Sequence, residues 1–287
     1  MKRFLTNILV FIIIPLLVYI PAYIVFYYYH HPKADNACYV WGDSQMYQDV
    51  ELDYLNHNSN FKYFSAAAHG AGLYDFLVFA EMVPENSNVM IQVSRTLILR
   101  RKEKDRNISA ISPISLFTLL KNGYSLDEVG HVVKNNLIPR RIFYTINYLY
   151  RNADTVNTKV PISTFAQIYK AKPTYFDDKI SIFFTGLEIL KNKHCKIVAL
   201  QFPYHPMLYT FENNSPYRKD LEQFDKDVAN MFPYKETIEI KLKQNIFNDF
   251  THLNGRGAKD LSRQLAPYLD FKKSPMIINV RKGELAE

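Results

Sequence analysis

Residues 37–44 read Ala-Cys-Tyr-Val-Trp-Gly-Asp-Ser, a short apolar run that ends in a polar turn. An apolar run of this length between turn signals is typical of a strand that is buried on both faces of a sheet. Similar runs occupy residues 89–93 and 196–202. In open sheets of parallel strands, ligands bind outside the carboxyl ends of the strands. Ser44 directly follows the first run, so its hydroxyl is predicted to lie in such a crevice.

Helical patterns alternate with the apolar runs along the chain. Segments with the periodicity of amphipathic helices lie at 45–55, 73–82, 179–192, 217–231 and 257–269. Strands are predicted at 37–41, 89–93 and 196–202, and weaker strand patterns lie at 61–66 and 237–240. This alternation predicts an α/β fold with a doubly wound parallel sheet of about five strands.

Residues 95–177 interrupt the alternation and are predicted to form a largely helical insertion after the third strand. The segment contains a basic run at 100–104 and helical patterns at 115–121, 126–135 and 140–150. An insertion here would lie over or beside the crevice at the carboxyl edge of the sheet. Its tyrosines either stack on sugar rings or pack the insertion onto the core, and both interpretations stay open for Tyr144, Tyr148 and Tyr150.

The N-terminal segment has the composition of a membrane anchor. Residues 4–29 contain no charged side chain, and about 20 apolar residues suffice for a helix to cross a bilayer. Lys2 and Arg3 precede this stretch and favour a cytoplasmic N-terminus. A cleaved signal peptide is the alternative, but the small residues of a cleavage site are missing after the stretch. We therefore expect a single uncleaved transmembrane helix at 1–32 and an extracytoplasmic domain at 33–287, at the cell membrane.

Composition narrows the choice of partners and cofactors. The formal net charge is +7 and the pI about 9.1, which suits an anionic bilayer surface or an acidic glycan. The chain has no nucleic-acid-binding motif, so nucleic acid is not an expected partner. Cys38 and Cys195 are the only cysteines, and no His or Cys pair has the short spacing of a zinc site. We therefore expect neither a metal nor another cofactor.

A second motif near the C-terminus, Asp249-Phe250-Thr251-His252, supplies the groups that a serine nucleophile needs. A serine hydroxyl attacks efficiently only when a base accepts its proton, and that base needs a third group to fix its tautomer. His252 is the candidate base for Ser44, and Asp249 is the candidate orienting carboxylate. The structural alternative is that Asp249 caps the following turn while His252 makes an ordinary polar contact.

Gly42-Asp43-Ser44 after a strand and Asp249-x-x-His252 before a helix together resemble the SGNH/GDSL hydrolase and acyltransferase superfamily, in its membrane-anchored branch. The order of the motifs, with the serine early and the aspartate and histidine late, is similar as well. The resemblance implies a flavodoxin-like sheet and a catalytic triad of these three residues. In that sheet order the third strand separates the first from the fourth, so Cys38 and Cys195 are expected to be buried, reduced thiols.

The resemblance also implies which groups surround the serine. The family builds its oxyanion hole from the backbone N–H groups of the serine and of a glycine after the second strand. Here these are Ser44 and Gly70, with Gly72 as the second choice. The family's Gly-x-Asn-Asp motif is absent, since Val93-Ser94-Arg95-Thr96 stands in its place. Either the arginine or the threonine of this stretch substitutes for the missing asparagine, or the enzyme is slow on simple esters. Both residues are also candidate substrate contacts.

Three further polar residues border the motifs. Asp43 is expected to shape the turn after the first strand rather than to act chemically. Asn254 either braces the loop of His252 or caps the next helix. His205 lies in Phe202-Pro203-Tyr204-His205-Pro206, after the fourth predicted strand, and is a candidate contact for an acyl donor or a sugar hydroxyl. A plain turn residue is the alternative for His205.

The expected chemistry is acyl transfer through an acyl-enzyme on Ser44. Several acyl-transferring branches of the superfamily also lack the asparagine, and its absence therefore tilts the prediction from a general esterase towards transfer. We expect a membrane-anchored serine esterase or O-acyltransferase that acts on ester groups of cell-envelope or exported glycans, with a membrane acyl-donor protein as a further partner. The alternatives are a plain carbohydrate esterase or deacetylase, and a catalytically silent glycan-binding or assembly component.

Overall fold

Six parallel strands form one sheet in the computed structural model, which describes residues 36–99, 113–136, 166–231, 236–242, 247 and 251–282. In chain order the strands are β1 (Ala37–Trp41), β2 (Lys62–Ser65), β3 (Asn88–Gln92), β4 (Lys196–Gln201), β5 (Glu236–Leu242) and β6 (Met276–Lys282). They lie side by side in the order β2-β1-β3-β4-β6-β5, and every neighbouring pair is parallel. The predicted α/β fold is therefore confirmed.

Helices connect the strands, as parallel pairing requires. Within the described ranges they include α1 (Ser44–Asp49), α2 (Leu52–Asn58), α3 (Leu73–Met82), α4 (Arg95–Leu99), α5 (Pro113–Lys121), α6 (Leu126–Asn136), α7 (Phe176–Asn192), α8 (Pro206–Asn213), α9 (Arg218–Met231) and α10 (Gly255–Leu265). Two short 3-10 turns, Ala266–Tyr268 and Phe271–Lys273, follow α10.

The core lies on both faces of the sheet. Tyr39 and Trp41 of β1 pack into a cluster with residues of α3, α7 and α9. Cys38 and Val40, which alternate with them, pack into a second cluster with residues of α1, α2 and α10. All five residues of β1 are buried. Burial on both faces explains why the strand appears in the sequence as an unbroken apolar run rather than an alternating one.

Close packing of α3 against α7 supports the end of β1. A Cβ at Gly186 of α7 would lie 2.6 Å from Cε1 of Phe76, so the absence of a side chain there makes room for the ring. The rings of Phe76 and Trp41 have their centroids 4.4 Å apart. Trp41 also donates from Nε1 to Oδ2 of Asp75 at 3.2 Å. The last residue of β1 is therefore held by both apolar and polar contacts just before the turn that leads to Ser44.

The sheet has one strand more than predicted, and its order departs from the flavodoxin-like order 2-1-3-4-5 that the resemblance implies. β6 lies between β4 and β5 and pairs with both of them. Its apolar run, residues 276–280, meets the same criteria as the runs that predicted the other strands, and this is the signal that would have found it. The consequence for the site is that β5 lies at the outer edge of the sheet. From there the chain must cross four strand spacings, about 19 Å, to reach β1.

The single helix predicted at 45–55 is two helices in the structure. α1 ends at Asp49, and Val50 is extended, with φ −117° and ψ 117°. The N–H of Glu51 donates to Oγ of Ser262 at 2.8 Å instead of to a carbonyl within the helix. This bond joins two segments that are far apart in sequence, so no local pattern of residues 45–55 could predict the break.

Part of the predicted insertion is described. α5 and α6 correspond to the helices predicted at 115–121 and 126–135, and α5 packs against α3 through Leu119. α4, at the start of the same segment, was not predicted as a separate helix. The basic run at 100–104, the helix predicted at 140–150 and the three tyrosines lie outside the described residues.

The predicted anchor at 1–32 also lies outside the described residues. Among the helices that are described, none combines the length and the apolar character needed to cross a bilayer. The transmembrane anchor therefore stays a prediction from the sequence.

The two cysteines are free and are separated as expected, but only one of them is fully buried as predicted. Cys38 is buried in β1, and Cys195 is half-buried immediately before β4. β3 lies between these two strands, which keeps the thiols apart. Burial raises the pKa of the Cys38 thiol well above its ordinary value and that of Cys195 to about 11.

Candidate active site

Ser44 opens α1 directly after the turn that ends β1. Asp43 precedes it in an extended conformation, and its Oδ1 accepts the N–H of Gln45 at 2.7 Å. This is the geometry of an N-cap, in which a side-chain oxygen satisfies a donor of the first helical turn. The expectation that Asp43 shapes the turn is confirmed.

Gly42 allows this turn to pack closely. A Cβ at this position would lie 2.4 Å from Cβ of Met46 and 2.8 Å from Oε1 of Gln92. Real Cβ atoms do not approach other atoms this closely, so α1 and β3 meet over the glycine. The glycine of the first motif therefore has a packing role that is separate from the chemistry of Ser44.

His252 is within reach of the serine. Its Nε2 lies 2.8 Å from Oγ of Ser44, within the range of a hydrogen bond between a base and a nucleophile. Both side chains are partly buried. The structure thus brings together two residues that are 208 positions apart in the sequence.

The other ring nitrogen of His252 has a hydroxyl nearby. Nδ1 of His252 lies 3.2 Å from Oγ1 of Thr251. Asp249, the predicted orienting carboxylate, lies outside the described residues. Its role in a triad, like the alternative role as a cap, stays a prediction.

Helix α1, which begins with Ser44, binds the loop of His252, residues 251–253, on both sides of the histidine. Nε2 of Gln45 donates to the carbonyl of Thr251 at 2.7 Å. The N–H of Leu253 donates to Oδ1 of Asp49 at 3.1 Å. The residues before and after the histidine are therefore hydrogen-bonded to side chains of α1.

Gln92 joins the same set of contacts from the end of β3. Its Oε1 accepts the N–H of Asp43 at 2.8 Å, and its Nε2 donates to Oε1 of Gln45 at 3.0 Å. Both glutamine side chains are buried. Sequence reasoning missed Gln45, Asp49 and Gln92, because glutamine and aspartate are common and only the fold shows what they bind.

Asn254 follows the loop and caps α10. Its Oδ1 accepts the N–H of Gly257 at 2.9 Å. Of the two roles considered for Asn254, the structure thus shows the helix cap.

The candidate oxyanion glycine lies in a loop that is bound to the turn of Ser44. Gly70 has φ 70°, in the left-handed region that favours glycine. Two residues earlier, the N–H of Ala68 donates to the carbonyl of Gly42 at 3.2 Å. On the same loop, the ring of His69 lies 2.9 Å from Nε2 of Gln48 in α1. Gly72, the second choice, is the N-cap of α3.

Arg95 is engaged in an ion-pair network. Its Nη1 lies 2.9 Å from Oε2 of Glu212, and its Nη2 lies 2.6 Å from Oδ2 of Asp225. The hydroxyl of Tyr169 also donates to Glu212, at 3.1 Å. Burial raises the pKa of the Glu212 carboxyl. To bind a substrate, the guanidinium of Arg95 would have to break its ion pairs with both carboxylates. The geometry therefore does not support a role for Arg95 as an oxyanion donor.

Thr96 is bound to neighbouring polar groups as well. Its hydroxyl lies 2.7 Å from Oγ of Ser94, and its N–H donates to the hydroxyl of Tyr204 at 3.3 Å. Ser94 and Tyr204 are themselves 2.5 Å apart, oxygen to oxygen. Ser94 further donates to Oε1 of Gln45 at 3.3 Å. These bonds join the region after β3 to α1.

His205 lies beside the loop of His252. Its ring packs edge-on against Phe247, with the centroids 5.8 Å apart. Phe247 forms a backbone bridge to Leu253, the residue after the base. His205 thus borders the loop that carries the base, which is where a substrate contact would be expected.

Within the ranges that the structure describes, no group of three His, Cys, Asp or Glu side chains is arranged to hold a metal ion.

No protein-family model matches the chain, and a search of the curated proteins also finds no match. The geometry of the site provides a hydroxyl nucleophile and an imidazole in contact with it.

Proposed function

We propose that the protein is a serine acyl-transfer enzyme of the SGNH/GDSL type. The observation that carries this proposal is the 2.8 Å contact between Nε2 of His252 and Oγ of Ser44 at the carboxyl edge of a parallel sheet. An imidazole in this position can accept the proton that leaves the hydroxyl during attack. The two sequence motifs support the same interpretation, since one supplies the serine and the other the histidine.

In the proposed first step, Nε2 of His252 takes the proton of Ser44 while Oγ attacks the carbonyl carbon of an acyl ester. The tetrahedral intermediate then collapses, its bond to the leaving alkoxide breaks, and the alkoxide receives the proton from His252. The product is an ester between the acyl group and Ser44. Asp249 would hold the imidazole in the correct tautomer and stabilise its charged form.

In the second step, a hydroxyl attacks the acyl-enzyme. His252 takes the proton of that hydroxyl, and Oγ of Ser44 leaves and is reprotonated by the imidazole. Water as the attacking group makes the protein an esterase, and a sugar hydroxyl makes it an O-acyltransferase. The same residues serve both reactions.

The negative charge of each tetrahedral intermediate is proposed to be stabilised by the backbone N–H groups of Ser44 and Gly70. Arg95 and Thr96 already bind other groups, so a third donor equivalent to the family's asparagine is not supported. Loss of one oxyanion-hole donor typically costs about a hundred- to a thousandfold in rate. We therefore propose slow turnover of simple esters and a preference for a specific acceptor, which favours transfer.

We also propose a cellular location, a substrate class and a partner for the protein. A parallel α/β domain on a transmembrane anchor at 1–32, with the N-terminus in the cytoplasm, would act outside the cytoplasm on ester groups of envelope or exported glycans. A membrane protein that supplies the acyl group would be a partner. The basic composition supports a location near an anionic bilayer or an acidic glycan.

A fluorophosphonate tests the core of the proposal, since it phosphonylates an activated serine, and the Ser44→Ala variant identifies the labelled residue. The purified full chain would be treated with the reagent, and its intact mass compared with that of Ser44→Ala and His252→Ala. We expect one adduct on the native protein and none on either variant. An unmodified native protein that is verifiably folded would contradict the enzyme assignment and favour a glycan-binding or assembly component.

Hydrolysis and transfer are separated in a second assay. An aryl acetate donor would be supplied with and without oligosaccharide acceptors, and both the released acetate and the acetylated sugar would be measured. Acetylated sugar that depends on Ser44 indicates a transferase. Free acetate alone, at an unchanged rate when acceptors are added, indicates an esterase or deacetylase.

A further inference from the structure

A chain of two buried glutamines connects the nucleophile turn to the loop of the base. It begins at the N–H of Asp43, passes through Gln92 and Gln45, and ends at the carbonyl of Thr251, with successive bonds of 2.8, 3.0 and 2.7 Å. Asp43 precedes Ser44, and Thr251 precedes His252. The chain thus begins and ends on the residues immediately before the two reacting groups.

The direction of this chain is determined by its ends. A backbone N–H can only donate, so the atom of Gln92 that faces Asp43 must be the oxygen. The nitrogen of Gln92 therefore faces Gln45 and must meet an oxygen. That leaves the nitrogen of Gln45 to face the carbonyl of Thr251, which can only accept. Both amide orientations follow from the network, and each side chain can bind in one way only.

Burial makes this arrangement specific. The residues Gln92 and Gln45 are 0% and 1% exposed, so water does not compete for their polar atoms. Oε1 of Gln45 accepts a second bond, from Oγ of Ser94. A buried amide that loses a hydrogen-bond partner raises the free energy of the folded protein. The conformation in which every amide has its partner is therefore the most stable one.

Three strands separate β5, which precedes the loop of His252, from β1, which precedes Ser44. The chain leaves β5 at the outer edge of the sheet and must reach α1 beside β1, about 19 Å away. Gln45 holds the loop before His252, and Asp49 holds it after, through the N–H of Leu253. Both side chains belong to the helix that starts with Ser44.

We propose that Gln45, itself held by Gln92, is a positioning residue that keeps Nε2 of His252 within reach of Oγ of Ser44. This inference rests on the proposed function, because it assigns a role within the same reaction. Gln45 does not touch the reacting atoms. It acts through the backbone of Thr251, and a misplacement of the base by about 1 Å lowers the rate by about a hundredfold.

The first variant, Gln45→Met, keeps the volume of the side chain but removes its donor and acceptor. The matched control is Asn88→Leu, at the opposite end of β3. Asn88 is also buried, and its amide donates to the carbonyl of Ala37 at 3.0 Å. The control removes the same kind of bond from the same sheet, at the edge that is far from Ser44.

The second variant, Gln45→Glu, changes the bond with pH. A buried carboxyl has a raised pKa and stays neutral over a wider pH range. When neutral it can donate to the carbonyl of Thr251 and accept from Gln92, whereas the ionised form repels that carbonyl. Its labelling rate relative to the native protein is therefore expected to rise as the pH falls. A side chain that is needed only for stability would show no such dependence.

The assay measures the rate constant of fluorophosphonate labelling of the full chain between about pH 5.5 and 9, together with the final number of adducts per folded molecule. We expect Gln45→Met to label about a hundredfold more slowly but to the same final extent, and Asn88→Leu to label at the native rate. A native labelling rate for Gln45→Met, or a pH-independent ratio for Gln45→Glu, would overturn the positioning role while leaving the proposed function intact.

Hydrogen exchange of the peptide that contains residues 251–254 provides a readout without catalysis. Faster exchange in Gln45→Met than in Asn88→Leu supports the tether even if the native protein does not react with the fluorophosphonate, in which case only the proposed function fails. Equal exchange in the two variants would contradict the tether. Should Gln45→Met not fold, Gln45→Glu provides the comparison, because its exchange relative to the native protein should become faster as the pH rises and the carboxyl ionises.

Discussion

Replacing Gly42 by alanine places a methyl group where α1 and β3 meet. The new Cβ would lie 2.4 Å from Cβ of Met46 and 2.8 Å from Oε1 of Gln92. Carbon atoms in favourable contact are about 3.5–4.0 Å apart, so Met46 would have to move by about 1 Å. Its Cβ is attached directly to the helix backbone, and no side-chain rotation can relieve the overlap. The whole of α1, including Ser44, would therefore shift.

Two effects are expected from this shift. Overpacking of a close-packed site typically lowers the free energy of unfolding by about 1–3 kcal/mol. The displaced Ser44 would also lose its alignment with His252, and a displacement of about 1 Å corresponds to about a hundredfold in rate. The displaced Gln92 would in addition lose its bond to the N–H of Asp43.

Urea unfolding measures the first effect, and the rate of fluorophosphonate labelling measures the second. Gly130→Ala is the matched control, because Gly130 is exposed in α6 and a Cβ there would meet nothing within 4 Å. Alanine in an open helical position is expected to raise the free energy of unfolding by about 0.5–1 kcal/mol. If Gly42→Ala labels at the native rate and is as stable as Gly130→Ala, the turn is not packed as described and the reasoning is refuted.

Three further predictions concern the rest of the molecule. Gly186→Ala would place a methyl group 2.6 Å from Cε1 of Phe76. Alanine usually raises the free energy of unfolding when it replaces glycine in a helix, but here we expect urea unfolding to show that this free energy falls by about 1–3 kcal/mol. The ammonium group of Lys193 donates to three backbone carbonyls at the C-terminal end of α3. Lys193→Met removes these hydrogen bonds and is expected to lower the free energy of unfolding by about 1–3 kcal/mol, measured by urea unfolding. Lys193→Arg can still donate to some of these carbonyls and should lower the free energy of unfolding by less. Cys195, whose pKa is raised to about 11 by burial, holds less thiolate than an ordinary cysteine. At pH 8 it should react with iodoacetamide about a hundredfold more slowly than an exposed cysteine with an ordinary pKa of 9.0, as measured by mass spectrometry in a Cys38→Ala background; a rate equal to that of an exposed cysteine would contradict the burial.

The local sequence pattern was sufficient to predict an element where burial of that element leaves a clear run of apolar residues. The strand at 37–41 and the helix at 73–82 have the bounds that were predicted, and the position of Ser44 after the first strand followed from them. β6 carried the same kind of apolar run, but it was not predicted, so the sheet has six strands instead of about five. Its place between β4 and β5 has no local signal, because strand order depends on how the whole chain packs.

Residue identity predicted the pair of reacting groups but not what holds them together. Ser44 and His252 were predicted from two short motifs, and the structure places them in contact. The break after Asp49 was missed because Ser262, far along the chain, takes the N–H of Glu51. Local pattern shows Gln45 only as one more residue of an amphipathic helix.

The sequence by itself determined the parallel α/β architecture, the position of Ser44 at the end of a buried strand and the histidine available as its base. These follow from local properties, namely hydrophobic periodicity, turn residues and the chemistry of side chains. Only the tertiary structure decided that β5 lies at the outer edge of the sheet and that Gln92 and Gln45 link the turn of Ser44 to the loop of His252. A glutamine binds whatever polar group the fold brings to it, and that partner is specified by packing between segments distant in sequence.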